Sequence, residues 1–216
     1  MRKLVFSSAG SPYARKVRIV LHEKGLPYQE DIRPGLRPVE ELRALNPNLA
    51  LPVLIDGSES LFGSNLIIEY LLESYPDIKT ADAGVPFANR LANPERRWRD
   101  LKILTTIESF ADTMVNVRHF RTDGMRADSS RYMARQESRI NASLDWLETE
   151  ATPEGFWRGV FSLMDIALIC PLHYAETRGV IRWRNRPKLA ALYEHWQHRE
   201  SVQATEEPPL PAAASA

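Results

Sequence analysis

The stretch from Asn46 to Leu72, NPNLALPVLIDGSESLFGSNLIIEYLL, decides how the rest of the chain is read. A loop ends at Leu51-Pro52 and passes directly into the apolar run Val53-Leu54-Ile55. Asp56-Gly57 starts a turn, and Ser60-Leu61-Phe62 resumes an extended apolar segment, which predicts a β-hairpin with a loop slightly longer than two residues. Gly63-Ser64 stops that strand, and Ser64 is expected to be the N-cap of a helix with apolar residues at Leu66, Ile67, Tyr70 and Leu71. Pro52 cannot donate to a sheet ladder, so it belongs at a strand start or edge. A cis Leu51-Pro52 bond would turn the chain sharply and leave neighbouring backbone groups free for a ligand. Ser64, at a helix N-terminus, offers a hydroxyl and free N–H groups to an anion such as a carboxylate. An X-Pro turn, a hairpin and a capped helix occur in many folds, so this stretch alone leaves function open.

Working outward, Lys3 to Phe6 reads as a short strand and Ser7-Ser8-Ala9-Gly10 as a small-residue loop. Ser11-Pro12 supplies the N-cap and first residue of a helix over Tyr13 to Lys24, closed by Gly25. Tyr28 to Ile32 is a weak second strand broken by Pro34 and Gly35. Pro38 opens a short helix through Leu45, ended by Asn46-Pro47 because a residue before proline avoids the α region. The order β-α-β-α-β-β-α indicates an α/β sandwich with a mixed sheet.

Tyr75-Pro76-Asp77 ends the helix that follows the hairpin, and residues 77 to 93 carry Pro, Gly, Asp and Asn without apolar period. The pattern then becomes helical throughout. The first run, Pro94 to about His119, is apolar at Trp98, Leu101, Leu104, Ile107 and Val115. Ser129 or Ser130 caps a second helix to about Glu148. Ser162-Leu163-Met164-Asp165 has the form of a capping box with aspartate in the place of glutamate, and Phe161 and Ile166 stand at the staple positions. The helix it opens ends near Gly179 and is apolar almost all round, which marks it as the buried centre of this half. Pro187 begins a last helix through Arg199. The expected divisions are therefore 1–78, a linker at 79–93, a helical domain at 94–204, and a Pro/Ala-rich tail at 205–216 without core residues.

The chain has 216 residues, with Lys+Arg and Asp+Glu both at 28. Zero net charge favours neither nucleic acid nor an anionic membrane as partner. Cys170 is the one cysteine, which excludes an intramolecular disulfide and suits a reducing compartment. The N-terminus enters a strand without an apolar leader, and no run approaches eighteen apolar residues, so a cytoplasmic protein is expected. His22, His173, His195 and His198 show no metal-ligand spacing. Arg96-Arg97-Trp98-Arg99 reads as a solvated helix face.

Together, SSAGSPYARKVRIVLHEKGLPY, NP..LPVLIDG and LFGSNLIIEYL resemble the glutathione S-transferase family, and more narrowly its bacterial members with a serine or cysteine near the first helix. The resemblance covers nearly the whole chain. It implies an α/β N-terminal thioredoxin-like domain followed by an all-α C-terminal helical bundle, a homodimer, and glutathione as co-substrate with a small hydrophobic electrophile as its partner. Such chemistry needs a site for the tripeptide and a way to keep its sulfur as thiolate, since a free thiol has a pKa near 8.5. A hydroxyl at a helix N-terminus stabilises that anion, and Ser11 is the first candidate with Ser8 as the alternative. By the same resemblance Pro52 and Val53, with Leu51 before them, match the segment that pairs with the cysteinyl part of glutathione. Ser64, with Gly63 before it, matches the serine that binds the γ-glutamyl carboxylate. Tyr13, Pro12 and His119 are placed as walls of the electrophile pocket.

Two departures stand out. Ala50 occupies the place of a usual lysine and Gly63 that of a usual Glu or Asp, which removes two charge-assisted contacts to glutathione. Arg37 is the candidate to replace the lysine, and Asp112 the candidate to reach the amine. The departures also support a competing reading, a non-catalytic binding or regulatory protein of the stringent-starvation type. The absence of cysteine among Ser7, Ser8 and Ser11 favours transfer over thiol reduction.

Overall fold

A computed structural model of the chain describes residues 1–33, 39–76, 87–88, 90–128 and 130–207. Strands β1 (Arg2–Phe6), β2 (Tyr28–Ile32), β3 (Val53–Asp56) and β4 (Glu59–Phe62) form one sheet in the order β2-β1-β3-β4. β1 is parallel to β2, with helix α1 (Pro12–Glu23) as the crossover, and antiparallel to β3. Leu4, Val5 and Phe6 of the central strand are fully buried. Helix α2 (Val39–Leu45) follows β2, and α3 (Ser64–Ser74) follows β4. This is the thioredoxin-like α/β unit expected from the order of the elements.

Two local expectations are corrected. Asp56 pairs with Glu59, so the hairpin loop is only Gly57-Ser58, with positive φ at Gly57, the pattern of a II′ turn. Glu59 looks like a turn residue in sequence, yet it belongs to the edge strand, where a charged side chain faces solvent. The cap of α3 is Gly63 at φ 84°, and Ser64 is the first helical residue with no side-chain capping bond. That left-handed backbone favours glycine and shifts the cap by one position.

The helical half consists of a 3₁₀ turn at Pro94–Arg96, then α4 (Arg97–Thr122), α5 (Arg131–Glu150), α6 (Leu163–Thr177), α7 (Pro187–Trp196) and α8 (Glu200–Gln203). Ser130 caps α5 by accepting from the Met133 N–H at 3.3 Å. The capping box opens α6: Asp165 Oδ2 accepts from the Ser162 N–H at 2.9 Å and the Ser162 hydroxyl at 2.5 Å. Asp165 Oδ1 also accepts from the Phe156 N–H at 3.0 Å, tying the preceding loop to the same carboxylate. Thirteen of the fifteen residues of α6 are buried, which makes it the centre of this half.

The last helix predicted through Arg199 is instead broken after Trp196, and α8 starts at Glu200. Arg199 turns inward, where its guanidinium bonds both oxygens of Glu23 at 2.6 and 2.7 Å and covers the Phe161 ring. The tail expected from residue 205 also begins differently, because Thr205 is fully buried. Arg15 and Arg18 of α1 donate to the carbonyls of Val202 and Thr205 at 3.1 and 3.0 Å. A sequence window cannot show this, since the partners lie 187 residues apart.

His173 of α6 is 7% exposed, with Nδ1 2.9 Å from the Tyr193 hydroxyl. Burial pushes its pKa down to about 4. The folded state therefore resists protonation that the unfolded chain accepts near 6.5, so this group's contribution is complete above about pH 6.5 and is lost as pH falls toward 4. His173→Gln removes the titration, and its stability relative to the parent should improve by about 1–2 kcal/mol between pH 7 and pH 5 in urea unfolding. A pH-independent difference would contradict this assignment.

Candidate functional site

The sheet register gathers three separated segments at one end. Val5 pairs with Val53, and Val53 pairs in turn with Phe62. The loop Ser7–Gly10 leaving β1, the Leu51-Pro52 entry to β3 and the Gly63-Ser64 exit from β4 are therefore neighbours. The Leu51-Pro52 peptide is cis. Pro52 and Val53 are buried, Leu51 half-buried, and Ser64 only 7% exposed. The N-termini of α1 and α3 both end here, bringing two sets of free backbone N–H groups to one place.

Ser11 is the N-cap of α1. Its Oγ accepts from the Ala14 N–H at 3.4 Å, which leaves its own O–H to donate outward. It is half-buried. Ser8, also half-buried, has its carbonyl accepting from the Ser11 N–H at 3.1 Å, so the two serines close one tight turn. Pro12 is the buried first residue of α1.

Tyr13 donates its hydroxyl to Asp112 Oδ1 of α4 at 2.6 Å. Burial first, and then that carboxylate, raise its pKa above the usual phenol value and keep it a donor. Asp112, the candidate to reach the amine, has one carboxylate oxygen held by Tyr13 across 99 positions of sequence. His119 is exposed seven residues further along the same helix, about 10 Å away on the same face. Arg37 lies outside the described residues.

Asn46 has a role that the sequence reading missed. It is 1% exposed; its Nδ2 donates to the Ala50 carbonyl at 2.7 Å and its Oδ1 accepts from the Asn48 N–H at 2.8 Å. One side chain thus shapes the loop that delivers Pro52. The signal is the Asn-Pro pair, read above only as a helix stop. A second missed feature is Lys16, buried on α1, whose Nζ bonds Asn65 Oδ1 and Glu108 Oε1, each at 2.6 Å. It closes one end of an apolar cavity of about 340 Å³ between α3, α4 and α6, lined by Ile68, Leu101, Leu104 and Ile166.

Cys170 lies buried in α6, and burial pushes its thiol pKa up to about 11, so it stays protonated and unreactive at neutral pH. Among the described residues no group of three or more His, Cys, Asp or Glu is placed to hold a metal, and no helix is long and apolar enough to cross a membrane.

The family model for the glutathione S-transferase N-terminal domain matches residues 5–79, and that for the C-terminal domain matches residues 131–195. The chain belongs to the glutathione S-transferase family. A relative of nearly equal length is the uncharacterized GST-like protein YibF of Escherichia coli, 30% identical over 95% of this chain and 98% of its own. Among solved structures, a glutathione S-transferase from Methylobacterium radiotolerans in complex with glutathione sulfonate superposes with a TM-score of 0.79 at 25% identity, over 100% of this chain and 99% of that one. Another from Methylobacillus flagellatus, with glutathione bound, gives 0.77 at 28% identity over 96% and 100%. The stringent starvation protein A homologue of Haemophilus ducreyi is 44% identical over 33% of this chain, a match spanning 34% of that protein's length.

Proposed function

We propose that this protein binds glutathione at the sheet end formed by Ser11, Pro52, Val53 and Ser64, and conjugates it through its sulfur to a small electrophile. The observation that carries the reading is the convergence of two helix N-termini, one capped by Ser11 and one beginning at Ser64, on the segment Leu51–Val53. Val53 supplies backbone groups for the cysteinyl unit and Ser64 a hydroxyl for a carboxylate. The Ser11 O–H then donates to the sulfur, with the α1 N-terminus adding its dipole. The thiol proton leaves to solvent, the thiolate lone pair forms the S–C bond, and the leaving group departs with its electron pair. The glutathione-bound Methylobacillus relative supports the tripeptide as ligand.

The regulatory alternative rests on Ala50 and Gly63. Ala50 is exposed with its carbonyl bonded to Asn46, and Gly63 offers no side chain, so neither supplies a charge. Calorimetric titration with glutathione, followed by conjugation of a generic electrophile, separates the two. Binding with turnover is expected; binding without turnover would favour the regulator.

We also propose a homodimer through α3 and α4, where Leu66 and Trp98 are 49% and 75% exposed and residues of both helices line the apolar cavity. Arg99, at the start of α4, pairs with Glu150 of its own chain at 2.8 Å. Light scattering should give twice the mass of one chain; a monomer at micromolar concentration would contradict the assembly.

A further inference from the structure

Gly10, immediately before Ser11, lies outside the positive-φ region, so its backbone does not demand glycine. The position is nevertheless crowded: a Cβ here would overlap the carboxyl group of Glu207 and would have to displace that side chain. That carboxyl is gripped on its other side by Arg178, whose Nη2 lies 2.6 and 2.7 Å from the two oxygens. Both side chains are nearly buried, at 15% and 14% exposed. Arg178 also faces the Tyr174 ring at 5.8 Å, and Arg118 of α4 faces the same ring at 5.9 Å. Among the described residues no carboxylate forms an ion pair with Arg118. A carboxylate from the far end of the chain therefore rests on the loop that carries Ser8 and Ser11, beside two guanidinium groups and an aromatic face.

An anion in this position opposes formation of a thiolate nearby, and the Arg178 guanidinium paired with it offsets that effect. A guanidinium–carboxylate pair exchanges at least cost for another carboxylate of the same shape, since both hydrogen bonds are remade. We propose that Arg178 and the Tyr174 ring form an acid-binding subsite beside the catalytic loop, occupied here by the chain's own Glu207, and that the electrophile taken by this protein is an aromatic or similarly flat molecule carrying a carboxylate that displaces it. This rests on the transferase reading and names its substrate class. In the reaction the thiolate sulfur bonds the electrophilic ring carbon, the carbon–halogen bond breaks, and halide leaves with the electron pair, while the carboxylate on Arg178 is unchanged.

The test compares 1-chloro-2,4-dinitrobenzene with 4-chloro-3,5-dinitrobenzoate as electrophiles for the full chain, Glu207→Gln and Arg178→Gln. The readout is the ratio of kcat/KM for the acid over the neutral compound. It should rise about tenfold in Glu207→Gln, which removes the charge competing for the guanidinium, and fall about tenfold in Arg178→Gln. A ratio within about twofold of the parent in both variants, with only a lowered Tm, would assign the pair to holding the C-terminal segment and overturn the inference. Should neither electrophile react, the transferase reading fails. The subsite is then judged by equilibrium dialysis of unreactive 3,5-dinitrobenzoate, which should bind tighter to Glu207→Gln and weaker to Arg178→Gln; equal binding to all three proteins overturns it.

Discussion

Replacing Asp165 by alanine should destabilise the protein by about 3–5 kcal/mol, the largest loss expected from any single side chain discussed above. Burial pushes this carboxyl up to about 6, against the hydrogen bonds that favour its charged form. Its oxygens satisfy two buried backbone donors, Ser162 N–H and Phe156 N–H, together with the Ser162 hydroxyl. Truncation leaves both N–H groups without their acceptor in a region closed to water. Gly155, packed with its φ at 100° against the same carboxylate, would also lose its neighbour. Ser162→Ala removes only the hydroxyl half of the box and should cost about 1–2 kcal/mol. Urea unfolding of both variants checks the order; equal losses, or a loss below about 1 kcal/mol for Asp165→Ala, would contradict it.

The second large effect separates binding from activation. Ser64→Ala removes the hydroxyl assigned to a carboxylate of glutathione and should weaken binding by about ten- to a hundredfold, as expected for a charge-assisted hydrogen bond of roughly 1.5–3 kcal/mol. Ser11→Ala should leave affinity nearly unchanged and lower turnover, because the hydroxyl bonds only the charged sulfur. Calorimetry beside steady-state kinetics reads both. Equal effects of the two substitutions on affinity would place both serines on the peptide and none on the sulfur.

Local signals carried most of the fold. The caps at Ser11 and Ser162, and the α5 cap to within one residue, were legible because a cap and its N–H partner lie within three residues of each other. The strands of the hairpin were legible from their apolar runs, but the two-residue loop was not, since pairing of Asp56 with Glu59 depends on register across the turn. Gly63 displaced Ser64 as cap through a backbone angle that residue type only suggests. The contacts that complete the candidate site join distant parts of the chain: Tyr13 with Asp112, and Gly10 with Glu207. No periodicity encodes such pairs. The burial of Arg15, Lys16 and Arg18 was likewise hidden, because each cation bonds a group from a distant part of the chain.

The central claim is that this chain holds glutathione with its sulfur as a thiolate against Ser11. Ultraviolet titration of the thiolate in the protein–glutathione complex tests it most directly. The bound thiol should titrate below its free value, near 8.5, and Ser11→Ala should raise it by about one to two units. A shift retained in Ser11→Ala but lost in Ser8→Ala would move the donor to Ser8. A bound thiol titrating at its free value in the parent protein, or no binding at millimolar glutathione, would contradict the account.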